Sequence, residues 1–211
     1  VNNSIKASYS QNYQYVHLAS TSAVSLPTDL WIPSSLGIEP KFADQYALGY
    51  FKNLKDNLFE TSIELYYKEM TNLLEYKEGV LPEDNTNTSS DDAFTFGTGD
   101  SYGIELLITK KSGGTTGWIG YTLSKTTRYF DEVNNGIEFP AKYDRRHDLS
   151  FTATHKLSQK WTLSSVFVFA TGNAITLPTE RYVIGGNVYT EYTSRNGYRM
   201  EAYHRLDIGA T

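Results

Sequence analysis

Connections along this chain alternate in length. Short turns at Lys55-Asp56-Asn57, Ser112-Gly113-Gly114 and Ser158-Gln159-Lys160 take turns with long polar stretches near 17–42, 78–98, 130–142 and 172–199. The segments between them run roughly 10–14 residues, the length a tilted strand needs to cross a bilayer. In an up-and-down barrel every second connection emerges on the same side, so this alternation sorts short turns to one side and long loops to the other. A soluble β-domain has no reason to sort its connections. The spacing predicts an antiparallel transmembrane β-barrel.

Period-two alternation supplies the strands. Phe59, Thr61, Ile63, Leu65 and Tyr67 share one face, with Glu60, Ser62, Glu64, Tyr66 and Lys68 on the other. Ile119, Tyr121 and Leu123 oppose Gly120, Thr122 and Ser124, and Leu149, Phe151 and Ala153 oppose Asp148, Ser150 and Thr152. The segment 102–110 repeats the pattern, and weaker versions at 4–10, 45–54, 161–171 and 203–211 bring the expected number to eight consecutive strands. Trp118 and Trp161 each follow a short turn and read as interfacial girdle residues, with core packing as the alternative.

Composition narrows the function classes. The mean hydropathy of -0.44 and the absence of any apolar run near 18 residues exclude a bundle of transmembrane helices. The 17 Tyr and 10 Phe suit strands and aromatic girdles. A net charge of -5 without a basic stripe argues against a nucleic-acid partner. Cysteine is absent, so disulfides and thiol chemistry are excluded.

The motifs give no catalytic centre. Gly97-Thr-Gly99-Asp-Ser-Tyr-Gly103 has its third glycine one residue late for a dinucleotide fingerprint, and reads as a loop returning to a strand. The acidic run with Glu83, Asp84, Asp91 and Asp92 lacks calcium-loop spacing. His17, His147, His155 and His204 are scattered, and no nucleophile elbow is present. The reading is no enzyme, no metal and no cofactor. The densest charge cluster, Asp144, Arg145, Arg146 and Asp148, stands as a network at a loop base or in the lumen, or as a grip on an entering ligand. Aromatics in or beside the long loops (Tyr13, Tyr15, His17 as a further ring, Trp31, Tyr129, Tyr182, Tyr189 and Tyr192) are the ligand-contact candidates.

Several stretches, in order, resemble the barrel of TonB-dependent outer-membrane receptors, particularly the C-terminal half of those from Bacteroidetes-type bacteria. They are Ala43-Asp44-Gln45-Tyr46-Ala47-Leu48-Gly49-Tyr50-Phe51, Glu64-Leu65-Tyr66-Tyr67-Lys68 and Ser101-Tyr102-Gly103-Ile104-Glu105-Leu106-Leu107. Gly117 to Ser124, Phe139 to Leu149, Ala170 to Asn173 and Tyr203 to Asp207 complete the set.

That resemblance implies a barrel of about 22 strands, of which this chain supplies eight. Residues 1–211 then form one partial barrel domain, a fragment without the plug, the TonB box or the final strand. It further implies a receptor in the outer membrane of a Gram-negative bacterium. A scarce nutrient (siderophore, haem, cobalamin, glycan or peptide) binds the extracellular loops and enters the periplasm when the TonB–ExbB–ExbD complex pulls on the plug. Outer-membrane lipid and, in some members, a surface lipoprotein are further partners. Two rivals stay open: a complete eight-strand barrel, and a secreted β-rich adhesin or glycan-binding module.

Overall fold

The computed structural model describes residues 2–19, 30–77, 93–185 and 187–211, without the side chains of Leu30 and 187–192. Pro27, Gly186 and the stretch holding Pro82 and the acidic run Glu83 to Asp92 lie outside the described residues.

Eight long strands follow one another as an antiparallel meander: β1 (Asn3–Gln14), β2 (Lys41–Leu54), β3 (Phe59–Tyr76), β4 (Phe94–Lys110), β5 (Thr115–Tyr129), β6 (His147–Lys156), β7 (Thr162–Ala170) and β8 (Tyr203–Ala210). Each pairs with its sequence neighbours, and β1 and β8 form the two edges of an open sheet. The eight expected segments all lie on these strands. The turn after β2 is held by three successive left-handed residues, Lys55 (φ 50), Asp56 (φ 52) and Asn57 (φ 67). Asn53 Nδ2 donates to Asn57 Oδ1 at 2.8 Å and fixes the turn from outside the ladder.

Cross-strand register places like with like. Ile5, Tyr50, Ile63, Leu106, Tyr121 and Leu149 form one row on the apolar face, and Lys6, Gly49, Glu64, Glu105, Thr122 and Asp148 form the row behind it. Along β3 the apolar residues are the exposed ones: Ile63 is 39%, Leu65 45% and Tyr67 38% exposed, while Ser62, Glu64, Tyr66 and Lys68 are only partly exposed. The apolar face is therefore convex and the polar face concave. This inverts the arrangement of a water-soluble sheet, whose apolar side is buried. Toward the loop side, Tyr9, Tyr46, Tyr67 and Tyr102 continue the convex face as a row across four strands. The next row carries Asp44, Glu69 and Asp100, and Tyr9 and Tyr67 donate their hydroxyls to Asp44 and Asp100 at 2.6 and 2.8 Å.

Three expectations need correction. Trp118 pairs with Thr109 and Thr152 and shares the concave face with Gly120 and Thr122, so it is no outer girdle residue. On the long-loop side the convex aromatic band is the tyrosine row. Trp161, the other expected girdle residue, is 56% exposed where it leads into β7. The long stretch near 78–98 ends at Phe94, and Gly97 to Gly103 is strand throughout, paired to β5 from Thr98 onward. The third concerns the other long connections, which contain hairpins: Val16–Ala19 pairs with Leu30–Pro33, and Pro178–Ile184 with Asn187–Tyr192.

The reason for the longer ribbon is packing beyond the tyrosine row. Register shifts between Met70 and Leu73, with Asn72 left-handed (φ 55) and its Nδ2 donating to Glu39 Oε2 at 2.9 Å. This bulge re-aims the last turn of β3. Leu74, Tyr76 and Phe94 then pack on the convex side with Ala19 and Ile38 of the first long connection. On the concave side Leu73 packs with Phe130, Val133 and Phe139. Fully burying a side chain such as Phe130 contributes about 2 kcal/mol, so four such residues hold the β5–β6 connection against the sheet.

Candidate functional site at the loop end of the sheet

The concave face ends, on the loop side, in two carboxylates that hold arginines from distant parts of the chain. Glu75 reaches this face because the bulge in β3 restores the alternation one step out of phase. Its Oε1 lies 2.5 Å from Arg195 and its Oε2 3.5 Å from Arg128 of β5. The Glu75 side chain is 11% exposed, and those of Arg128 and Arg195 are 27% and 25% exposed. Lys41, at the start of β2 and half-buried, lies within electrostatic reach of both Glu75 and Arg128.

Asp144 is the second carboxylate, with a side chain only 1% exposed. Its Oδ1 accepts the Thr126 backbone N–H at 2.7 Å and its Oδ2 takes Arg199 at 2.5 Å, with Arg146 at 3.9 Å. Arg199 also donates to the carbonyls of Asp144 and Gly172. A buried carboxylate needs this saturation, because an unpaired one costs several kcal/mol. Arg195 and Arg199 belong to one short segment, which the Arg195 backbone N–H and Asn196 Nδ2 fasten further to Asn134 Oδ1 and the Pro140 carbonyl, both at 2.9 Å. The segment 193–200 therefore straps the third and fourth long connections together across the sheet end.

Of the sequence candidates, Asp144 and Arg146 meet directly, and Arg145 lies 3.8 Å from Asp148. The Arg145–Asp148 pair is about half exposed on both sides and contributes little on its own. The aromatic candidates do not converge. His17 is fully buried, with Nε2 3.0 Å from Ser34 Oγ and Nδ1 without a partner. Burial, and then the nearby Lys41 charge, lower its pKa, so His17 is neutral at ordinary pH. Trp31 is 66% and Tyr182 46% exposed, each on its own hairpin. Tyr13 and Tyr15 stack on one another with centroids 6.4 Å apart. Tyr129 is on the convex side and donates to Asp131. Tyr189 and Tyr192 are in strand, their side chains outside the described residues.

Sequence reading missed Glu75, Arg128, Arg195 and Arg199. Glu75 and Arg195 are 120 positions apart, and nothing local marks either. Deeper in the concave face an open depression of about 300 Å³ lies among Glu64, Glu105, Trp118, Thr122, Asp148 and Ser150.

Comparison with known proteins agrees with this architecture. The family described as TonB dependent receptor-like, beta-barrel matches residues 2–211. The ferripyoverdine receptor of the outer membrane of Pseudomonas aeruginosa, bound to ferripyoverdine, superposes with a TM-score of 0.64 at 18% identity, over 99% of this chain and 25% of that one. The FpvAI–pyocin S2 complex gives 0.64 at 15% identity with the same coverage. P. aeruginosa FpvA bound to heterologous pyoverdines gives 0.62 at 18%. At these identities the likeness is one of fold, and the chain spans about a quarter of those receptors' length. No curated protein matches the chain. The chain belongs to the TonB-dependent receptor β-barrel family.

Proposed function

We propose that this arc belongs to the C-terminal half of an outer-membrane receptor of Bacteroidetes type, which binds a scarce nutrient outside and imports it with energy from the TonB–ExbB–ExbD complex. Residues 1–211 are one partial barrel domain in this reading. The observation that carries it is the inverted exposure: Ile63, Leu65, Leu106, Ile108 and Ile119 are each 38% exposed or more on the convex face, with polar residues behind them. Hydrocarbon stabilises such a surface and water does not, which also weighs against a soluble adhesin or glycan-binding module. The tyrosine row Tyr9, Tyr46, Tyr67 and Tyr102 marks the interface on the long-loop side, where aromatic rings with polar tips are favoured. That side is extracellular, and the short turns are periplasmic.

The long connections carry the ligand. Trp31 and Tyr182 offer exposed rings on two separate hairpins, Tyr13 and Tyr15 are exposed at and just after the end of β1, and Tyr189 and Tyr192 sit on the same hairpin as Tyr182. His17 acts from within, by anchoring the hairpin that presents Trp31. Asp144, Arg145, Arg146 and Asp148 serve the loop base rather than the ligand.

The full-length protein is the right material for the test. It should fold into lipid vesicles as a heat-modifiable barrel, and nutrient uptake by cells carrying it should stop when TonB is removed. A polypeptide that is soluble and monomeric without detergent would sink the membrane reading. Uptake that persists without TonB would sink the coupling.

A further inference from the structure

The short-turn end of the sheet is basic, in a chain that is acidic overall. Three turns emerge there, at 55–58, 111–114 and 157–161, and every residue of them is described. With the strand ends beside them they carry Lys52, Lys55, Lys110, Lys111, Lys156 and Lys160. Of the chain's 24 acidic residues only Asp56 and Glu60 fall there, a surplus of four positive charges where the overall charge is -5. Glu60 is committed to Lys111. Among the described residues none of the other five lysines has a carboxylate within 4.0 Å.

Apolar neighbours fix the depth of this rim. Leu54, Phe59 and Lys110 form one cross-strand row on the convex face, and Lys52 has the same parity. Alternation along β6 and β7 carries Leu157 and Trp161 onto that side as well, and Leu157 is 63% exposed. A turn meant only for water has no use for them, whereas Trp is favoured where hydrocarbon meets head groups. The shared parity lets the apolar stems of Lys52 and Lys110 follow the convex face while their ammonium groups reach past it. Lys55 holds its Nζ 5.9 Å from the centre of the Phe59 ring, which keeps a third charge on the same side.

Successive turns on this rim are two strands apart, about 10 Å. That is close to the Debye length of about 10 Å at 0.1 M salt, so the lysines act as one patch. A basic cluster at the membrane surface attracts anionic head groups. We propose that Lys52, Lys55 and Lys110, with Lys156 and Lys160 extending the patch, bind the phosphate groups of anionic phospholipid in the leaflet that the short turns meet. The inference rests on the membrane reading above and adds a preference for lipid charge. Trp161 and Leu157 set the depth, and the lysines select the head group. The occupant is a lipid rather than a soluble anion because Lys52 and Lys110 share their face with the hydrocarbon-facing rows.

The test uses the full-length protein in phosphatidylcholine nanodiscs, into which brominated phosphatidylglycerol or brominated phosphatidylcholine is titrated. Bromine quenches nearby tryptophan, and the part of the quenching that is lost in Trp161→Phe reports this rim. Half-quenching should need an at least about threefold lower fraction of phosphatidylglycerol than of phosphatidylcholine at low ionic strength. The ratio should approach one at about 1 M salt, where the Debye length is about 3 Å. It should also fall to one when Lys52→Gln, Lys55→Gln and Lys110→Gln are combined, and be kept in the matching arginine variant. A glutamine variant with the wild-type ratio overturns the proposal. So does co-sedimentation with purified peptidoglycan that this variant loses while the lipid ratio is one throughout, since the lysines would then serve the cell wall. The wild-type measurement stands alone if the variant does not fold: equal quenching by the two lipids in a heat-modifiable, folded barrel overturns this inference only. A polypeptide that is soluble without detergent fails the membrane reading, and this inference with it.

Discussion

Arg199 and Asp144 meet at 2.5 Å across 55 positions of sequence, and the same arginine also donates to the Asp144 carbonyl. Asp144 thereby joins three things: the β5 edge through the Thr126 N–H, its own connection, and the returning strap. Its side chain is 1% exposed, so removing it leaves a guanidinium facing a space built for an anion. Asp144→Ala should cost about 3 kcal/mol of local stability. Hydrogen exchange across 193–200 should then rise roughly a hundredfold, since each 1.4 kcal/mol is a factor of ten. Asp144→Asn keeps an acceptor for Thr126 and should lose less. Unchanged protection at Arg199 in the alanine variant would show that the strap is held elsewhere.

Neighbouring residues on β3 should respond oppositely to the same charge. Ile63 lies on the convex face in the row with Tyr50 and Leu106, and Ser62 lies on the concave face beside it. Arg at a lipid-facing midplane position costs about 2–4 kcal/mol, and a lumen position is tolerant. Ile63→Arg should therefore lower the folding free energy in vesicles by that amount, with Ser62→Arg close to the parent. Equal losses would mean that the two faces share one solvent.

How much of this was legible in the sequence depends on range. Strand number and face assignment rest on a period of two, which any few residues display, and all eight segments lie on the observed strands. The same period places Trp118 with Gly120 and Thr122 on the polar face; reading it as a girdle residue let its position after a turn override its parity. The length of β3 and β4 was not legible, because the ribbon beyond the bulge is held by Ile38, Phe130 and Phe139 from other connections. Glu75 and Arg195 were invisible for a similar reason. Their pairing is a product of the fold, and neither stands in a patterned run.

Gly97 tests that long-range packing. A Cβ built there would lie 2.2 Å from the Tyr129 carbonyl oxygen and 2.5 Å from the Phe130 ring. Neither distance is tolerable, and the first involves backbone, which cannot turn aside. Gly97→Ala should cost about 1–3 kcal/mol. The damage should fall on the β5–β6 connection, read as faster proteolysis of 130–146 in the folded protein. Truncating Phe130 as well should not rescue it, since the carbonyl contact remains. Recovery in the double variant would place the strain on the ring alone.

His17 gives the loop region an acid limit. It is buried in the hairpin of Val16–Ala19 with Leu30–Pro33, its Nε2 beside Ser34 and its Nδ1 unpartnered. Burial, followed by the Lys41 charge, lowers its pKa below the ordinary 6.5. In the unfolded chain the imidazole takes up a proton near pH 6.5, while the folded protein resists until lower pH. The folded state thus binds fewer protons in that interval, and its stability falls as pH falls. Stability is full above pH 6.5 and is lost progressively as pH drops through the folded value. Hydrogen exchange at residues 16–19 and 30–33 should therefore quicken between pH 7.5 and 5.5, beyond the intrinsic rate change. His17→Gln, which cannot take up a proton, should abolish that excess. An equal pH response in wild type and His17→Gln would assign the effect to another group.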